Sequence, residues 1–96
     1  MKKMLRRERR VREARLDRQS QPFRDLVQRW AQERSLGFAG GWYAVPGYWR
    51  YELWNARLTV SIAEDGSFAH VTDATGTEIV AKTVRGLRIA LTRLYA

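Results

Sequence analysis

The stretch that decides the fold is RLTVSIAEDGSFAHVTDATGTEIVAKTV, residues 57–84. It predicts three antiparallel β-strands joined by two turns of the same design. Both turns, Ala63-Glu64-Asp65-Gly66 and Asp73-Ala74-Thr75-Gly76, have glycine in fourth place. This pattern is typical of a type I turn closed by a residue in the left-handed region, which makes a three-residue hairpin loop. The centre of the chain is therefore a β-meander.

The loop lengths also predict which side chains share a face of the sheet. Three-residue loops pair Ala63 with Ser67 and Asp73 with Thr77. One face then carries the larger apolar residues: Leu58, Val60, Ile62, Phe68, His70 and Val80. The other face carries Arg57, Thr59, Ser61, Ala69, Val71, Ile79 and Ala81. A slip of one residue would exchange the faces of the slipped strands, so the register is a testable prediction.

A helix is predicted before the meander. Ser20-Gln21-Pro22 suits a helix start, because proline is favoured in the first turn. Gly37 is the expected stop. The apolar residues that follow recur at the spacing of one buried helical stripe, namely Phe23, Leu26, Val27 and Trp30.

Two further strands and a second helix complete the predicted architecture. Pro46-Gly47 predicts a turn between strands at 42–45 and 48–53. The link at 54–56 fits either a bulge or a tight turn. Thr83 is the predicted helix cap, and after it Leu87, Ala90, Leu91 and Leu94 fall on one helical face. We therefore expect an α+β fold with an N-terminal basic arm, a helix, an antiparallel meander of four to five strands, and a C-terminal helix packed on one sheet face.

The order of these elements is similar to that of double-stranded-RNA-binding domains, which also end in a helix packed on an antiparallel sheet. The similarity is one of topology. Those domains have a lysine-rich start to the last helix, whereas this chain reads Thr83-Val84-Arg85-Gly86-Leu87.

Length and composition exclude several classes of protein. The 96 residues suffice for one small domain, predicted at 20–96, and contain no cysteine for disulfides or thiolate metal sites. No apolar run approaches the roughly 20 residues that a membrane helix needs. His70 is the only histidine, no catalytic constellation is recognisable, and we expect neither an enzyme nor a cofactor. The absence of cysteine fits a reducing compartment, so we expect a cytoplasmic protein.

Positive charge is concentrated at the N-terminus. The net charge is +8, and residues 1–36 hold 12 Lys and Arg against 5 acids, which gives +7. Residues 1–19 lack an apolar stripe, so we expect an arm that is disordered when free and helical when an oppositely charged partner binds it. The basic residues of this arm are Lys2, Lys3, Arg6, Arg7, Arg9, Arg10, Arg12, Arg15 and Arg18.

Clustered arginine of this kind is the usual electrostatic signature of binding to phosphate backbones. The leading hypothesis is therefore a non-enzymatic nucleic-acid-binding protein, DNA or RNA, with Arg85 and Arg88 as a second basic set. The alternative is a protein-interaction module, an inhibitor or assembly factor, that uses the aromatic 42–54 segment and the basic arm on an acidic partner. Six aromatic residues lie within 42–54, and Trp42, Tyr43, Trp49 and Tyr51 are candidates for a stacking, interface or dimerisation surface beside their ordinary role in a core.

Overall fold

The computed structural model describes residues 6–36 and 41–95, with side chains from Arg18 onward. It confirms the α+β class. The elements in chain order are α1 (Arg6–Glu33), β1 (Tyr43–Val45), β2 (Tyr48–Leu53), a 3-10 turn (Trp54–Ala56), β3 (Leu58–Ala63), β4 (Ala69–Asp73), β5 (Glu78–Ala81) and α2 (Val84–Tyr95).

The five strands form one antiparallel meander in the order β1-β2-β3-β4-β5. Both helices pack on the same face of this sheet, and α1 also packs on α2. The core between them combines the α1 stripe with the inner face of the strands. Its largest fully buried members are Trp30, Tyr51, Leu53, Ile62, Leu87 and Leu91. The opposite face, called the open face below, has no described helix on it.

The predicted stripe of α1 is buried as expected, but the helix starts earlier than predicted. Helix α1 begins at Arg6, contains Pro22 in its interior, and crosses the predicted boundary at residue 20 without a break. Proline removes one backbone hydrogen bond, yet residues 6–19 are mostly strong helix formers, so the helix continues on that side. The hydroxyl of Ser20 accepts a hydrogen bond from Arg24 Nε at 3.1 Å, within the helix. That residues 1–19 behave as a separate arm in solution stays a prediction.

The helix also ends before the predicted stop at Gly37. Ser35 takes the left-handed conformation, with φ 55°. The amide of Leu36 donates to the carbonyl of Ala31 at 2.9 Å and that of Ser35 to Gln32 at 3.1 Å. These two bonds form a Schellman cap, so a serine occupies the position that glycine usually takes. Gly37 itself lies outside the described residues.

The register of the first central hairpin was predicted wrongly by one residue. Ala63 pairs with Phe68 through its amide, and Ile62 lies opposite Ala69 instead of Phe68. Ser67 joins the loop because its amide and hydroxyl both donate to the Asp65 carboxylate, at 3.0 and 2.6 Å. The loop therefore holds four residues, although Gly66 takes the predicted positive φ.

This shift exchanges the faces of β4 and β5. Ala69, Val71 and Ala81 are buried under the helices, whereas Val80 is 56% exposed and the rings of Phe68 and His70 lie on the open face. The physical reason is the close approach of α2. A Cβ on Gly86 would lie 3.5 Å from the Cβ of Ala81, so small side chains are needed below this helix.

The other connections agree with the sequence. The second hairpin has the predicted register, with His70 opposite Val80. Gly47 has φ 83°, as a turn after Pro46 requires. The amide of Gly86 donates to Thr83 Oγ1 at 2.9 Å, which confirms the cap of α2. The link between β2 and β3 is the 3-10 turn, closed by Arg57 in the left-handed region.

Candidate functional site

The basic segment forms the N-terminal half of α1. Lys2 and Lys3 lie outside the described residues, and the arginines from position 6 to position 18 lie on one continuous helix. The 14 residues from Arg6 to Gln19 correspond to about 21 Å of helix. At 100° per residue, the arginine positions are distributed around the whole circumference and do not form one stripe. A partner can therefore meet basic positions whichever side of this segment it approaches.

The basic segment is anchored to the folded domain where α1 passes the β3–β4 loop. Ser20 is fully buried and Phe23 is 5% exposed, while Arg18 and Gln19 are exposed. The carbonyl of Gln19 lies so close to Gly66 that no side chain would fit at that position. The direction of the basic half is thus set by packing of the turns that follow it.

The second basic set is only partly available. Arg88 Nη2 lies 2.9 Å from Glu33 Oε2, an ion pair that links α2 to the end of α1. Arg85 is exposed on α2. Arg88 therefore has a structural partner, and Arg85 is the member of the pair that presents its charge to solvent.

Most of the predicted aromatic candidates lie on the covered side of the sheet. Tyr51 is 1% exposed and its ring lies 5.3 Å from that of Trp42, so Tyr51 belongs to the core. Burial raises the pKa of the Tyr51 hydroxyl above its ordinary value. Trp49 is half-buried with the Arg24 guanidinium 5.2 Å above its ring. These three side chains therefore belong to the core or pack against it.

Tyr43 is the exception among the four candidates. It lies on the open face at the edge strand β1 and is 40% exposed. Its hydroxyl donates to Glu52 Oε1 at 3.0 Å. Desolvation and this carboxylate together raise the pKa of Tyr43.

A different set of rings, which the sequence did not predict as a site, meets on the open face. Tyr48 lies edge-on to Phe68 at 6.0 Å and edge-on to His70 at 5.7 Å between ring centroids. Phe68 and His70 are nearly parallel, 6.4 Å apart with 20° between their planes. All three are half-buried. Tyr48, Phe68 and His70 are called the ring cluster below.

A surface depression of about 370 Å³ adjoins the ring cluster, between the β1–β2 turn and the β3–β4 loop. Its lining combines two rings of the cluster with the loop carboxylates and small residues, namely Gly47, Tyr48, Ala63, Glu64, Asp65, Ser67 and Phe68. The hydrogen bonds from Ser67 hold the pKa of Asp65 below its usual value. Asp65 therefore stays ionised and serves the loop, as a turn residue was expected to do.

Trp54 was also missed. It stands in the 3-10 turn at the far end of β2 and is 78% exposed. The sequence did not predict this exposure, because the link at 54–56 fitted either a bulge or a tight turn.

The described part of the chain shows neither a metal-binding cluster nor a membrane-spanning helix. Among the side chains that the structure describes, in 18–36 and 41–95, no group of three or more His, Asp or Glu is arranged to hold a metal ion. Within residues 6–36 and 41–95, no helix is long and apolar enough to cross a bilayer.

Comparison with known proteins gives no match, whether the chain is tested against protein-family models, curated proteins or solved structures.

Proposed function

We propose that this chain is a small, non-enzymatic, cytoplasmic protein that binds nucleic acid through the basic N-terminal half of α1. The observation that carries the proposal is the concentration of charge at the N-terminal end of the sequence, where the arginines from position 6 to position 18 belong to one helix. Residues 1–18 hold nine Lys and Arg against three acids, a net +6, while the remaining 78 residues supply only +2. The basic half is an extension of a helix whose other half is fixed by core packing.

Phosphate backbones suit this arrangement better than a single acidic side chain would. Arginine carries a planar fork of donors that binds phosphate oxygens in pairs, and the arm has seven arginines against two lysines. Basic positions on all sides of the helix match a polymer that has charge along its whole length. Such contacts place the protein on nucleic acid without reading the base sequence.

The test is the salt dependence of binding by the full-length protein. Four to five phosphate contacts predict a slope of log affinity against log salt of about −4 on duplex DNA and about −3 on a single strand. Replacing Arg7, Arg10 and Arg15 together by glutamine should reduce the size of the slope by about 2 to 3, and should weaken all base sequences alike.

A matched control removes the same charge from the folded domain. Arg29, Arg57 and Arg93 are exposed, and their triple replacement by glutamine should leave the slope nearly unchanged. Equal losses in the two triple variants would mean that total charge, and not the arm, determines binding. Absence of binding to any DNA or RNA at low salt would refute the proposal.

The second candidate is a protein-interaction module, and exposed Trp54 is the observation that favours it. Exposed tryptophan is a frequent anchor of protein interfaces, and the basic arm, which leaves the domain at the other end of β2, suits an acidic protein surface. Under this alternative, neither the wild type nor Trp54→Ala would bind nucleic acid, and Trp54→Ala would no longer bind the acidic protein partner that the wild type binds.

A further inference from the structure

We propose that the ring cluster on the open face is a stacking site for unpaired bases, so that the nucleic acid bound is single-stranded. This inference rests on the proposed function, because the basic half of α1 would supply the phosphate contacts. The ring cluster would then add a preference for unpaired bases over duplex.

The geometry of the open face supports stacking. Antiparallel sheets with one face in water normally present polar side chains there. Here that face has Tyr48, Phe68 and His70 in mutual contact, with Val80 56% exposed opposite His70. Aromatic side chains on an exposed surface stack on bases of any sequence, since every base has a π-face.

The ring cluster and the basic helix lie at the same end of the sheet. Tyr48 is the first residue of β2 and Phe68 immediately precedes β4. The β3–β4 loop at that end contacts α1 through Gly66 and Gln19. One nucleic-acid strand can therefore reach the exposed helix at Arg18 and the rings without spanning the domain.

The acids of the depression set the orientation of a bound base. The Asp65 carboxylate is occupied by Ser67, whereas no described side chain donates to the Glu64 carboxylate. A carboxylate repels phosphate but accepts hydrogen bonds from base amino groups, such as N4 of cytosine. The base edge would face Glu64 while the phosphates face the basic helix.

The experiment compares fluorescence-anisotropy affinities of the full-length protein for a labelled single strand and its duplex at one salt concentration. We expect tighter binding of the single strand. Phe68→Leu and Tyr48→Leu, which retain apolar volume but lose the ring, should each weaken it about fivefold or more and leave duplex binding within about twofold. Glu64→Gln should reduce a preference for oligo(dC) over oligo(dT).

Trp54→Leu is the matched control, because it removes an exposed ring at the opposite end of β2 and should leave both affinities unchanged. The folding of both ring variants is checked by circular dichroism. If one of them does not fold, the other still decides the test.

Binding with equal affinity for single strand and duplex, unaffected by the ring variants, would overturn this inference while the proposed function stands. Absence of all nucleic-acid binding would overturn both. Self-association of the wild type that is lost in Phe68→Leu, measured by light scattering, would assign the ring cluster to a second copy of the chain and would also overturn the inference.

Discussion

Trp30 joins the two helices, and its replacement gives the sharpest test of the fold. The side chain is fully buried in the α1 stripe. Its indole N–H donates to Thr92 Oγ1 at 3.2 Å, and its ring lies edge-on to Tyr95 at 5.3 Å. The guanidinium of Arg34 lies 4.3 Å from the same ring. One side chain therefore combines burial with three specific contacts.

Each contact has a typical contribution to stability. A net hydrogen bond contributes about 1 kcal/mol, an edge-on aromatic pair about 0.5–1.5 kcal/mol, and a partly exposed cation–π contact about 0.5–1 kcal/mol. Removing the ring also leaves a cavity. Trp30→Ala should therefore lower the free energy of unfolding by about 3–5 kcal/mol. Because a small domain has only about 5–15 kcal/mol in total, this variant should be near the limit of folding.

A double-mutant cycle isolates the hydrogen bond. Trp30→Phe and Thr92→Val each remove it, and the double variant should cost about 1 kcal/mol less than the sum of the two single changes. Unfolding in urea is followed by far-ultraviolet circular dichroism, since Trp30 is itself a fluorophore. A Trp30→Ala protein with wild-type stability would refute the packing of α1 on α2, and strict additivity in the cycle would refute the hydrogen bond.

Three further predictions concern the cap, the register and the turns. Ser35→Gly should raise the free energy of unfolding by about 0.5–1 kcal/mol in urea titrations, because glycine adopts the left-handed conformation without strain; a loss of stability would contradict the cap. Val80→Thr should change the free energy of unfolding by less than about 0.5 kcal/mol, whereas Val71→Thr should lower it by about 1–3 kcal/mol, because Val71 is fully buried. A larger loss in Val80→Thr than in Val71→Thr would support the register expected from the sequence instead. Asp73 accepts hydrogen bonds from Thr75 and Thr77, and these bonds lower its pKa in the folded protein. The ionised carboxylate therefore stabilises the fold fully above the unfolded-state pKa, near 3.9, and this stabilisation is lost as the pH falls through the folded-state pKa. Thermal melts of Asp73→Asn should therefore converge with wild type in strong acid, and a constant difference down to pH 2 would exclude this role.

Local signals in the sequence were enough to predict most of the fold. The apolar spacing from Phe23 to Trp30 fixes the buried side of α1, and the two glycines of the hairpins mark where the chain reverses. The ends of α1 could not be predicted in the same way. Pro22 and Gly37 are normally strong boundary signals, but Pro22 lies inside the helix and Ser35 closes it.

The candidate site was harder to predict because its position depends on one residue of register. Phe68-Ala69-His70-Val71 alternates large and small side chains, and either pair could line a core as far as strand periodicity is concerned. The choice is made by α2, which packs against Ala69 and Ala81 after the chain has passed β4 and β5. A contact between residues so distant in sequence produces no local sequence pattern from which it could be predicted. The basic arm, by contrast, needed only a count of charges.

The same packing that buries the small residues forces the rings outward, and this explains why the open face is unusual. If α2 lay farther from the sheet, Phe68 and His70 could fill the gap and the small residues would face water. With α2 close, β4 must place its large side chains on the side that has no described helix. Stability alone would be served by threonine or lysine there, as Thr59 and Thr72 illustrate one row farther along the same face. The ring cluster instead occupies the end of the sheet where the basic helix leaves the domain. Half-buried rings beside concentrated positive charge suit the single-strand binding proposed above.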